Sequence, residues 1–143
     1  MPVDLQALYP KLVHLMLDTV FVVDRDNQIV FVSDACEALL GYRADELTGT
    51  TITNYMHPDD LAASLASITR VMKGQSHIDF RNRYIRKDGG IVHILWSARW
   101  YEEEGVRIGV ARDVTALRQA EDELRYLAHH DALTGLTLSL IHI

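Results

Sequence analysis

The stretch HIDFRNRYIRKDGGIVHILWSARWYEEEGVRIGVARDVT, residues 77–115, constrains the fold more than any other part of the chain. Three runs rich in Val, Ile, Tyr and Trp are separated by Lys87-Asp88-Gly89-Gly90 and by Glu102 to Gly105. Polar, glycine-bearing turns this short join antiparallel neighbours, since a parallel return would need about a dozen residues or more. In the middle run Val92, Ile94, Trp96, Ala98 and Trp100 share one face by period-two alternation, and Ile91, His93, Leu95, Ser97 and Arg99 share the other. Apolar residues stand on both faces, so both are expected to be partly covered, one by short helices and the other by an N-terminal helix or a partner chain.

Upstream, TVFVVDRDNQIVFVSD (19–34) reads as two more strands around a polar turn at Asp24 to Asn27. Caps and breakers then follow closely. Ser33 or Asp34 can cap a short helix ended by Gly41, Gly49 stops another short turn, and Pro58 fits the first turn of a longer helix that ends before Gly74. Ahead of the first strand Leu5, Leu8, Leu12, Leu15 and Met16 recur at helical spacing, which predicts an amphipathic N-terminal helix within residues 1–18. Two strands, several short helices and three strands make an α+β domain over residues 19–114, a five-stranded antiparallel sheet with short helices on one face.

At 143 residues, 48% hydrophobic and 24% charged, the chain is large enough for one domain with a real core. Its net charge of -6, with no Lys/Arg block, argues against a nucleic-acid partner. The opening MPVDLQALYPKLVHLMLDT carries Pro, Asp and Lys, and so matches neither a signal peptide nor a spanning helix of about 20 apolar residues. A cytoplasmic location without membrane contact is the expectation. The single cysteine, Cys36, rules out an internal disulfide and cannot alone build a thiolate metal site.

From Thr115 the chain changes character. In TALRQAEDELRYLAHHD, Leu117, Ala120, Leu124 and Leu127 are spaced 3-4-3 along one helical seam. Thr115 can cap its start, a contribution of about 1 kcal/mol. Arg118 with Asp122, and Glu121 with Arg125, stand four apart as ion pairs. The spacing suits a helix packed on its own domain or a parallel two-chain coiled coil. The second is the expectation over residues 115–130: a homodimer through this helix, with the N-terminal helix as a further candidate contact.

With these pieces in place the chain resembles a PAS sensor domain across roughly Thr19 to Thr115. The order of HPDD (57–60), YIRKDGGIVHI (84–94) and GVARDVTALRQAEDEL (109–124) carries the resemblance, and ARDVT is similar to the family's signature at the exit of the last strand. Each motif alone is weak; their order and separations together are specific. The resemblance implies a five-stranded sheet cradling short helices around a small cavity, and a sensory or dimerisation role in a bacterial signalling protein, with a ligand, redox or light cue or as a ligand-free scaffold. It also implies that Asp113 and Thr115 couple the final strand to the output helix, Asp113 bonding a sheet residue, with Arg83 and Arg112 as candidates, and Thr115 ordering the first helical turn.

The segment LRYLAHHDALTGL (124–136) is similar to the junction leading into a GGDEF diguanylate cyclase domain, whose first helix begins with a stretch like Asp131 to Leu136 and continues into Pro-Asn-Arg; here Thr137 replaces that Pro. Residues 131–137 would then begin a cyclase domain that makes cyclic di-GMP from two GTP, one held by each protomer. Its metal-binding carboxylates and GGDEF loop lie outside this sequence, so no catalytic residue and no metal ligand is assigned, and the chain itself is not expected to be an enzyme. LSLIHI (138–143) fits no such continuation. It matches CTG TCT CTT ATA CAC ATC, similar to a transposase end used as an adapter in DNA library preparation, and the expectation is adapter read-through with no packed role.

The candidate cavity residues are His57, Phe80, Asn82, Tyr84 and Trp96. A His at the mouth of the long helix can ligate haem iron or touch a ligand; the plainer reading is a helix start, with Pro58 first and Asp59 and Asp60 against the dipole. His77 and His93 fall on strands, where sheet packing is their expected role. Cys36 sits in SDACEALLGY, outside any motif like Asn-Cys-Arg-Phe-Leu-Gln, the setting of the photoactive cysteine in the family's blue-light flavin sensors. Neither haem nor flavin is therefore expected, and Cys36 reads as a buried inert thiol. Trp96, Trp100, Phe80 and Tyr84 either line a cavity for a small planar ligand or form plain core. Asn82 shares a face with Ile78, Phe80 and Tyr84; if that face is inward, its amide needs a partner, which a ligand, a water or a backbone group can supply.

Overall fold

The computed structural model describes residues 3–8, 11, 17–75 and 77–134, without the side chains of residues 77, 78 and 129–134. Two compact units divide the chain, residues 1–113 and 114–143. In the first, β1 (Thr19–Asp24) turns into β2 (Ile29–Val32). The Asp24 carboxylate closes this turn, accepting from the amides of Asp26 and Gln28 at 2.9 Å each, while Asn27 takes a left-handed φ of 65°. Helices α1 (Cys36–Leu40) and α2 (Ala44–Leu47), two 3-10 turns (Ile52–Tyr55 and Pro58–Asp60) and α3 (Leu61–Met72) follow. Strands β3 (His77–Ile85), β4 (Ile91–Tyr101) and β5 (Val106–Asp113) complete the sheet, whose order is β2-β1-β5-β4-β3 with every pair antiparallel. The expected α+β architecture is present.

The turn between β3 and β4 does more than reverse the chain. Arg86 Nη1 donates to the carbonyls of Ala38 and Leu39 at 3.1 and 2.8 Å, and Lys87 N donates to Leu40 O at 2.9 Å, so the last carbonyls of α1 are satisfied from the sheet. Gly41 ends α1 at φ 80°, and a Cβ there would stand 3.4 Å from that of Lys87. Lys87 Nζ also meets Glu46 of α2 at 2.7 Å. The apolar sides of α1 and α2 thereby close over the sheet, where Phe21, Val23, Ile29, Leu40, Leu47 and Ile94 form one buried cluster.

Several local expectations shift. The Ser33 hydroxyl does not cap α1: it accepts from Val20 N at 2.8 Å and so serves the sheet, while the cap position falls to Ala35 without a side-chain bond. The long helix begins at Leu61, after a separate 3-10 turn led by Pro58. On β4, Val92, Ile94 and Trp96 are buried, and on the opposite face His93 and Leu95 are half-buried while Ile91 is exposed. At the N-terminus residues 5–8 are helical and Asp4 caps them, its carboxylate accepting from Gln6 N and Ala7 N. Leu12, Leu15 and Met16 lie outside the described residues.

The second unit contains α4 (Thr115–Thr134). In its first turn the Val114 carbonyl accepts from Arg118 N at 2.8 Å. Both expected ion pairs form, Arg118–Asp122 at 3.4 Å and Arg125–Glu121 at 3.9 Å. The helical backbone runs without interruption across 130/131. Residues 135–143, including the suspected adapter-derived segment, lie outside the described residues. Among the described residues no helix is long and apolar enough to cross a membrane.

Candidate ligand-binding site

Between α3 and the inner face of the sheet lies a cavity of about 50 Å³. A volume of about 10–15 Å³ on this measure accommodates one water, so the space admits roughly three to five non-hydrogen groups. It exists because small residues stand where large ones would close it. On α3, Ser64, Ser67 and Val71 are buried at spacings of three and four, one face of the helix over about two turns. On β5 the inward positions are Arg107, Gly109 and Ala111. A Cβ on Gly109 would come within 3.1 and 3.2 Å of the Trp96 ring atoms Cζ3 and Cε3. Glycine is thus what allows the Trp96 indole to lie flat against the sheet, where it meets Phe21 at 5.3 Å and Tyr84 at 5.6 Å between ring centroids.

Asn82 is the polar centre of one wall. It is 5% exposed, its Nδ2 donates to Ser64 Oγ at 3.0 Å, and its Oδ1 accepts from Trp96 Nε1 at 2.8 Å. Because the indole N–H can only donate, the orientation of the amide follows. The partner that the sequence left open is therefore a pair of side chains, one on α3 and one on β4, and the three groups satisfy one another across the cavity wall.

Arg107 stands in contrast. It lines the cavity at 6% exposure; Nη2 donates to Asn27 Oδ1 at 3.2 Å, and Nη1 is buried without a hydrogen-bond partner among the described residues. Burial disfavours the guanidinium charge, and the negative charge of Asp24 works against that effect. The group nonetheless stays ionised, as arginine does in proteins. Its positive charge in turn eases ionisation of the Tyr84 phenol, which burial otherwise pushes well above its ordinary value.

Of the expected cavity residues, Phe80, Asn82, Tyr84 and Trp96 are brought together around this space. His57 is not among its lining: its Nδ1 accepts from Asp59 N at 3.1 Å and so caps the 3-10 turn. Trp100 also lies elsewhere, its ring under the Arg25 guanidinium at 5.0 Å and its Nε1 donating to Glu102 at 2.5 Å. Cys36 is fully buried, its thiol pushed up to about 11 chiefly by that burial. Arg83 and Arg112, the candidate partners of Asp113, form ion pairs with Asp60 and Asp18, at 2.8 and 3.1 Å. Ser64, Ser67 and Arg107 were missed. For Arg107 the available signal was VRIGVA, in which Arg, Gly and Ala share one face opposite Val106, Ile108 and Val110.

A family model described as the PAS fold matches residues 29–111. A diguanylate cyclase of Vibrio cholerae is 28% identical over 123 residues, covering 82% of this chain and 38% of its own length. The White collar 1 protein of Neurospora crassa is 30% identical over 118 residues, covering 75% of this chain and 10% of its own. The chain thus spans well under half the length of these relatives. A domain of a sensory box sensor histidine kinase/response regulator from Geobacter sulfurreducens superposes with a TM-score of 0.67 at 22% identity, over 76% of this chain and 94% of that one, a likeness of fold. The family match covers more than half of the sequence and spans β2 through most of β5 with the helices between them: the chain belongs to the PAS family of sensor domains found in signalling proteins.

Proposed function

We propose that this PAS domain senses a small molecule in the cavity between α3 and the sheet and relays its presence through α4 to a diguanylate cyclase domain, in a cytoplasmic bacterial protein that works as a homodimer. The observation that carries the reading is the similarity to the Vibrio cholerae cyclase over 82% of the chain. The helix supports it: Leu117 and Leu124 of the seam are 47% and 67% exposed, which leaves an apolar stripe available to a second copy. Ligand binding would alter the register, rotation or stability of the Leu117/Ala120/Leu124/Leu127 seam, and with it the meeting of two cyclase domains that each hold one GTP. A buried Cys36 thiol argues against a thiol-based light or redox cue.

The second reading, a ligand-free dimerisation scaffold, leaves unexplained a cavity of about 50 Å³ beside a buried, incompletely bonded arginine. The test is to read the coding sequence of the source genome beyond Leu136 and assay the encoded protein for cyclic di-GMP formation from GTP. A GGDEF domain is expected, with a rate that falls when Leu117 and Leu124 are both replaced by Asp. A different output domain, or a rate indifferent to that replacement, overturns the proposal.

A further inference from the structure

Arg107 is a buried cation beside open space, and the protein around it does not complete its bonding. One nitrogen is bound to the Asn27 amide oxygen, while Nη1 has no hydrogen-bond partner among the described residues. Asp24 is the carboxylate whose charge it feels, without forming an ion pair with it. A guanidinium taken out of water is costly unless an anion or several acceptors replace the lost hydration. Among the other polar groups of the wall, Asn82, Ser64 and Trp96 bond one another, and the Ser67 hydroxyl and Tyr84 phenol also line the space. The remaining lining is largely apolar, including Val23, Ile52, Ile68, Val71 and Phe80. The cavity therefore has one cationic end and a largely apolar body of aliphatic and aromatic side chains, and it holds only roughly three to five non-hydrogen groups.

We infer that the cavity binds a short-chain aliphatic monocarboxylate, one carboxylate oxygen accepting from Arg107 Nη1 and the alkyl chain lying against the apolar residues of α3 and the sheet. A guanidinium suits a carboxylate in both shape and charge. A dicarboxylate would strand a second charge on the apolar wall, and a larger planar molecule exceeds the volume. The inference deepens the sensor reading and rests on it.

The experiment is titration of the 143-residue chain with acetate and propionate at constant ionic strength, followed by amide chemical shifts and calorimetry, with propionamide and 1-butanol as uncharged probes. The carboxylates are expected to saturate, to shift the amides of Arg107 and Gly109, and to bind at least about tenfold more tightly than the uncharged probes, as a charge-assisted bond requires. Arg107→Leu should abolish the carboxylate preference, and Arg107→Lys should keep part of it. Should Arg107→Leu fail to fold, Ala98→Leu, which fills the cavity and leaves Arg107 in place, should abolish carboxylate binding. Carboxylate shifts no larger than those of sodium chloride would mean that water alone solvates Nη1, and would overturn the inference. Binding unchanged in Arg107→Leu would do the same. If the uncharged probes bind and the carboxylates do not, the carboxylate assignment falls while small-molecule sensing stands; if no probe binds, both fall.

Discussion

The cavity wall turns on two residues whose neighbours leave them no freedom. Gly109 is held by the Trp96 ring at 3.1 Å from where a Cβ would sit, so Gly109→Ala forces the indole or the strand to move. A loss of about 1–3 kcal/mol in urea denaturation is expected, with a changed near-ultraviolet dichroism from the displaced Trp96. Asn82→Ala acts by a different route: it strands the Trp96 N–H and the Ser64 hydroxyl without their shared partner. That change should also lower stability by about 1–3 kcal/mol. Adding Ser64→Ala should not add its full separate cost, because the two side chains belong to one network. Neither role was legible in sequence. Asn82 was recognised as needing a partner, but Ser64 is 18 residues away on another element, and only the packing of α3 against β3 decides that they meet. Arg107 escaped for a sharper reason. Val106, Ile108 and Val110 form the more apolar face of β5, which a hydrophobicity pattern turns inward, whereas the space demanded by Trp96 selects the opposite face, with Arg107, Gly109 and Ala111.

At the scale of elements, what was legible is what is local. The hairpin turns, the glycine stops at Gly41 and Gly49 and the three C-terminal strands are each dictated by residues a few positions apart, and each is present. What was not legible are the ties between distant elements. Asp60 shows this: read as a helix-dipole acid, it acts as a clamp, whereas the His57 turn cap is local and agrees with the helix-start reading. Asp60 receives Arg83 through both its backbone amide, at 2.7 Å, and its guanidinium, at 2.8 and 2.9 Å, fastening the start of α3 to β3. The Arg83 guanidinium beside Asp60 holds its carboxyl below the ordinary value of 3.8. A depressed folded value means that the clamp stabilises fully above the unfolded value, and that this contribution is lost as pH falls from there through the lower folded value. Asp60→Asn should therefore unfold at lower urea than the parent at pH 7, and the two midpoints should converge as the pH is lowered below 3.8. A midpoint difference that persists unchanged into that acid range would show that the clamp acts by shape and not by charge.

For the whole molecule, the PAS domain and α4 play separable parts: the first offers a cavity with one cationic end, the second an exposed apolar seam. The family was legible from HPDD, KDGG and ARDVT because these motifs sit at turns and at the strand exit, where local geometry restricts the residue. The cavity's contents were not, because its volume depends on which side chains face each other across five strands. The proposed relay through α4 to a cyclase requires two copies to meet along Leu117, Ala120, Leu124 and Leu127. Ion pairs Arg118–Asp122 and Arg125–Glu121 brace the helix itself, and replacing the seam leaves them in place. The direct measurement is sedimentation velocity of the chain and of its Leu117→Asp/Leu124→Asp variant, with far-ultraviolet dichroism to confirm that the helix persists. A concentration-dependent dimer that becomes a monomer in the variant is the expected result; a parent that stays monomeric, or a variant that dimerises as the parent does, would contradict it.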